Sequence, residues 1–137
     1  MRVTPPGGIA IITACLKRAG YHNIELFDAT WFPIDTELAS ARVDRDKERS
    51  KRGMMPEYTW DGTGFRIENV NMYDAWADKV LEFQPDVVIS SLVEDTYYIW
   101  QKMMERVIDQ SFVSIVGGVF PTAAPHLFDD KCDYLCR

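Results

Sequence analysis

Three short runs of this sequence carry the residue types from which a ligand site could be built. Pro5, Pro6, Gly7 and Gly8 precede a helical pattern. Ser90, Ser91, Leu92, Val93, Glu94, Asp95 and Thr96 follow an apolar run that begins at Asp86. Gly117, Gly118, Val119, Phe120, Pro121 and Thr122 follow a second apolar run. Hydroxyls at such places can hydrogen-bond a ligand, and adjacent glycines let a bulky group approach the backbone. Glu94 and Asp95 could form an acid–base pair, although two carboxylates opening a helix suit its dipole better. Cys132 and Cys136 have the C-x3-C spacing of an iron–sulfur motif but no third cysteine, so both read as structural, and Cys15 reads as packed on the first helix. His126 lies on the same edge as the three runs, where a solvated loop histidine is a simpler reading than a metal ligand. His22 falls at the opposite edge.

These runs must be positioned by the elements around them. Ile9, Ile12, Leu16 and Ala19 recur at helical spacing, with Lys17 and Arg18 in the last turn and Gly20 as the stop, so a helix is expected from Ile9 to about Ala19. Ile24 to Phe27 reads as a short strand. Residues 35–52 are densely charged with nearly cancelling signs and read as a solvated helix or loop. Glu57 to Glu68 reads as a hairpin around Asp61-Gly62-Thr63-Gly64. Asn71 caps a helix over Met72–Phe83, with Tyr73, Trp76 and Val80 inward and Pro85 at its end. Asp86–Ile89 reads as a strand buried on both faces. A helix follows over about Asp95–Ile108, with Ile99, Trp100, Met103, Met104 and Val107 on its apolar face. Phe112–Val116 is a further strand, a turn or short helix lies around Ala123–Phe128, and Tyr134–Cys136 is the last strand.

Strands alternating with helices imply an α/β fold: a Rossmann-like, flavodoxin-like, doubly wound parallel sheet in a three-layer sandwich. In a parallel sheet the three runs open on one carboxyl edge, where α/β proteins bind ligands. For a single loop, a tight turn and a helix cap suffice. Three together favour a crevice. The order 2-1-3-4-5 needs a central first strand, yet only Met1, Arg2, Val3 and Thr4 precede Pro5, so that strand is short or truncated.

The totals exclude several classes. The chain of 137 residues is long enough for one domain with its own core. A net charge of −6 argues against a general nucleic-acid binder. No apolar run has the length of a membrane span. Three cysteines make no disulfide framework, and a cytoplasmic setting is expected. Neither a G-x-G-x-x-G dinucleotide loop nor a phosphate-cradling P-loop occurs, and a receiver domain's acidic pair is absent.

PPGGIAIITACLKRAGYHNIELFDA, FQPDVVISSLVEDTYYIWQKMMERV and VSIVGGVFPTAAPHLFDDKCDYLCR together resemble the N-terminal cobalamin-binding domain of cobalamin-dependent radical S-adenosylmethionine enzymes. The likeness covers nearly the whole chain. It implies that residues 1–137 are one cobalamin-binding domain, part of a longer chain. A radical domain with S-adenosylmethionine and a 4Fe-4S cluster on a C-x3-C-x2-C motif would follow. Ser90-Ser91-Leu92 is similar to the S-x-L signature of cobalamin domains, and Gly117-Gly118 to their G-G signature. The resemblance implies that Ser90 bonds the detached nucleotide base and that the glycine pair flanks the slot for the nucleotide tail. The D-x-H-x-x-G signature is absent, its place reading TPPGG, so no protein imidazole is expected below the cobalt.

The expectation is therefore a module that holds cobalamin base-off, without a catalytic set of its own, and presents it for methyl transfer or related radical chemistry. The cofactor contacts expected are Pro5, Pro6, Gly7, Ser90 to Thr96, and Gly117 to Thr122, with no metal ligand from a side chain. On this reading a bulky residue at Gly118 abolishes binding and leaves the fold intact. The rival is a degenerate flavodoxin-like module that has lost its ligand and serves in protein contacts. Met103 and Met104 read as helix core, and Trp31, Tyr58 and Trp60 either cover the corrin or pack on a neighbouring domain.

Overall fold

The computed structural model describes residues 7–29, 32, 44, 47–54 and 70–137. Met1–Pro6, the hairpin over 57–68, and Trp31, Tyr58 and Trp60 lie outside the described residues. The chain divides into two compact units, one of Met1–Phe27 with Trp76–Arg137 and the other of Asp28–Ala75.

The first unit opens with helix α1, Gly7–Arg18. Its end is a Schellman motif. Gly20, at φ +95°, donates its N–H to Lys17 O at 3.1 Å, and Tyr21 donates to Leu16 O at 3.0 Å. Contrary to the packed face expected of it, α1 buries none of its residues, and Cys15 is exposed. Ile24–Phe27 is not a strand. Its residues lie alongside the next helix instead. Glu25 accepts from Lys79 Nζ at 2.8 Å, and the Phe27 ring meets Trp76 edge-on at 5.3 Å between centroids. Side-chain contacts hold this segment against the helix, with no ladder between it and any described strand.

Helix α2, Met72–Phe83, is capped as its sequence dictates. Asn71 Oδ1 accepts from the N–H groups of Tyr73 at 2.9 Å and Asp74 at 3.3 Å. Strand β1, Val87–Ser91, runs two residues further than expected, and both serines belong to it. Helix α3, Glu94–Glu105, then leads to strand β2, Val113–Gly117. A short helix α4, Val119–Ala123, and a 3₁₀ turn at Pro125–Phe128 lead to strand β3, Tyr134–Leu135. Among the described residues the sheet is open and wholly parallel, in the order β1-β2-β3, with Val87 opposite Val113 and Ile115 opposite Tyr134.

One sheet face carries the core. Val116, fully buried, packs with Leu92, Trp100 and Phe128, and Trp76, Val80 and Val107 form a second cluster against Val88 and Met103. The other face does not match the continuous burial expected of β1. Val87 is 45% exposed and Ile89 44%, and Val113 and Tyr134 on the same side are exposed as well. The connections after β1 and β2 both pack on the covered face, and α1 contributes no buried cover to the open one.

In the second unit, residues 47–51 are helical. Glu48 pairs with Lys51 at 3.3 Å and Arg52 at 3.8 Å, both at exposed positions where such pairs contribute little. Gly53, at φ +68°, ends this helix with a second Schellman motif.

Candidate functional site

The parallel register sets Ser91 opposite Gly117, so the segments after β1 and β2 leave the sheet side by side. Leu92 extends the ladder by donating to Gly117 O at 2.9 Å, and Phe120 donates back to Leu92 O at 3.3 Å. Two of the three sequence runs are thereby brought together. The third is not: Pro5 and Pro6 lie outside the described residues, and Gly7 is the exposed first residue of α1.

The glycine pair serves this docking. Gly118 has φ +113°, and a Cβ there would stand 2.6 Å from Leu92 O and 2.8 Å from Leu92 N. A Cβ at Gly117 would stand 3.3 Å from that of Cys136, whose N–H donates to Val116 O at 2.8 Å. The space beside each glycine is filled by protein. A bulky residue at Gly118 therefore cannot leave the fold intact, contrary to the sequence-based expectation, because the clash is with backbone.

The segments after each strand become helices rather than open loops. Val93 is the N-cap of α3. The Thr96 hydroxyl serves it twice, accepting from Val93 N–H at 3.1 Å and donating to Val93 O at 2.9 Å. Glu94 and Asp95 occupy the first turn, where carboxylates meet the positive end of the helix dipole. Val119 to Thr122 lie in α4, with Pro121 fully buried and Phe120, half-buried, packed against the core, while Thr122 Oγ1 donates to Gly118 O at 2.9 Å. At the surface of this edge, Val93 and Val119 are both exposed, forming an apolar rim among hydroxyls.

Beneath the rim lies an aromatic cluster. Tyr97 meets Phe120 at 5.4 Å and Phe128 at 5.2 Å, and stacks on Trp100 at 6.2 Å. Its hydroxyl donates to Leu127 O at 2.9 Å and accepts from Lys131 Nζ at 2.6 Å. Trp100 is 5% exposed, and its Nε1–H is buried without a hydrogen-bond partner. Such a donor costs roughly 1–3 kcal/mol if left unsatisfied. Trp76 shows the usual outcome, donating its Nε1–H to Met103 O at 2.9 Å.

Sequence reasoning passed over Tyr97, although Tyr97, Trp100 and Met104 share the three-and-four spacing of one helix face. It also missed the pair that fixes β3. Asp133 Oδ2 accepts from Ser114 N–H at 2.7 Å and Ser114 Oγ–H at 2.8 Å, and Asp133 N–H donates to Ser114 Oγ at 3.0 Å. The Ser114 backbone N–H, then its hydroxyl, hold the Asp133 carboxyl below the usual carboxylate range. Burial, and secondarily the charge of Asp133, push the Cys132 thiol up, which disfavours a reactive thiolate. His126 is exposed on the 3₁₀ turn.

Among the described residues no group of three or more His, Cys, Asp or Glu side chains could hold a metal ion. Among the same residues, no helix is long and apolar enough to cross a membrane. Compared with known proteins, the chain matches no family model, no curated protein and no solved structure.

Proposed function

We propose that this chain binds a corrinoid, cobalamin in its base-off form, at the carboxyl edge of its sheet. The observation that carries the reading is the edge where the strand end Ser90-Ser91 and the following Leu92 dock on Gly117-Gly118, with Val93 and Val119 exposed just beyond and the buried Trp100 N–H left without a partner. A corrin ring offers a broad apolar surface fringed with neutral amides, which suits exposed Val93 and Val119 beside the exposed Ser91. Ser90 would bond the detached base. A bound corrinoid supplies the cobalt chemistry, and the protein supplies position. The fold proposed is the flavodoxin-like three-layer arrangement, and the partner is a radical S-adenosylmethionine domain, with its own 4Fe-4S cluster, in the same longer chain. The rival, a module that acts only in protein contacts, is favoured by the open apolar face of β1 and β2.

The test is to mix the purified chain anaerobically with hydroxocobalamin, remove unbound cofactor and record the visible spectrum. A retained corrinoid with a base-off spectrum is expected. Ser90→Leu, checked for fold by circular dichroism, should lose it, and His126→Ala should not. A folded chain that retains none overturns the reading and leaves the rival.

A further inference from the structure

Two polar groups on the covered face of the sheet are left without a bond. The Trp100 Nε1–H is buried with no acceptor, in a residue 5% exposed. The hydroxyl of Ser90, half-buried at the end of β1, makes no hydrogen bond among the described residues. Other hydroxyls near Trp100 in the chain are taken. Thr96 is engaged with Val93, and Tyr97 with Leu127 and Lys131.

The two groups share their surroundings. Side chains alternate along a strand, so Ser90 stands between Val88 and Leu92 on one face. In the register it lies opposite Val116. Leu92 and Val116 both pack with Trp100, and Phe128 and Met104 complete the apolar neighbourhood. An ion would lose its hydration there with no counter-charge, so the acceptor that fits is neutral. The glycine pair leaves no room for such a group, since Leu92 and Cys136 fill the space beside it. Ser90 is where solvent reaches this face.

We infer that Trp100 is the positioning residue for the base of the bound corrinoid, a neutral aromatic heterocycle with one acceptor nitrogen. This rests on the corrinoid reading above. An indole N–H only donates, whereas a serine hydroxyl both accepts and donates, so one ligand nitrogen can satisfy both groups in series. Trp100 Nε1–H donates to Ser90 Oγ, and the Ser90 hydroxyl, its direction thereby fixed, donates to the base. In the free chain neither bond is made.

The test follows the Trp100 indole resonance in the isotope-labelled full chain, assigned by through-bond correlation to its own backbone. Hydroxocobalamin should move that proton downfield. Aquocobinamide, which has the same ring but no nucleotide, should not. Ser90→Ala should leave the resonance in place in the free chain and abolish the shift. Trp100→Phe, which removes the N–H, should weaken hydroxocobalamin binding about tenfold and leave cobinamide binding unchanged. The inference is overturned if both corrinoids bind and the resonance does not move, or if Trp100→Phe weakens both alike. A free-chain shift on Ser90→Ala would also sink it, because Trp100 would already be partnered by Ser90. A folded chain that binds neither corrinoid overturns the corrinoid reading itself, and this inference with it. Because the resonance is read in the native chain, it decides the matter even where Trp100→Phe does not fold.

Discussion

Gly118 and Asp133 each do structural work that a binding role does not require. At Gly118 the φ of +113° and the backbone of Leu92, 2.6 Å from a would-be Cβ, combine two penalties. Gly118→Ala should lower stability by roughly 2 kcal/mol or more, read as a drop in the urea midpoint with or without cofactor. Asp133 acts through charge. Its folded pKa is lowered by the Ser114 donors, so its stabilising contribution is fully present above the unfolded carboxylate value of about 3.9 and is lost as pH falls through the lower folded value. The gap in urea midpoint between the native chain and Asp133→Asn should be constant from about pH 5 to 8 and close as the solution is acidified further. A gap that widens in acid would mean that the Ser114 bonds do not favour the ionised form.

Among the elements, helix α2 was legible in detail. Asn71, Trp76, Val80 and Pro85 announced its cap, face and end, because capping and helical periodicity are local signals. Asn71→Ala should cost about 1 kcal/mol, measured by chemical unfolding, and Asn71→Asp should restore most of it. Strands β1 and β2 were equally plain as apolar runs, but their ends were not. Ser90 and Ser91 read as a loop, yet the ladder to Gly117 keeps them in the strand, and a ladder depends on a partner distant in sequence. Ile24–Phe27 failed for the same reason in reverse: an apolar run becomes a strand only beside another. The serine pair and the glycine pair were correctly set on one edge. What the glycines were for was hidden, since a glycine that admits a ligand and one that admits a neighbouring backbone look alike until the backbone is in place. Tyr97 was legible as part of the Trp100–Met104 helix face and was passed over, whereas Asp133 was illegible for want of its long-range partner, Ser114.

At the scale of the first unit, stability is unevenly distributed, and this sets what the unit can do. Its core lies on one side of a three-stranded sheet, centred on Val116, which is fully buried, with Leu92, Trp100 and Phe128. Helix α1 buries nothing, and Ile11 is 66% exposed. Its twelve residues are about the length at which an isolated helix is marginal in water. The amides of α1 should therefore exchange through local opening, at rates that hardly respond to mutations in the core, whereas those of β2 should follow global unfolding. Val116→Ala should cost about 2 kcal/mol and speed exchange across β2, leaving α1 nearly unchanged, while Ile11→Ala should leave the urea midpoint within about 0.5 kcal/mol of the native chain. The carboxyl-edge rim belongs to the stable part, because Leu92 and Phe120 join it to the Val116 cluster. If α1 proved as slow to exchange as β2, the helix would have to be seated on the open sheet face in solution, and the cover expected of a doubly wound fold would come from within the unit.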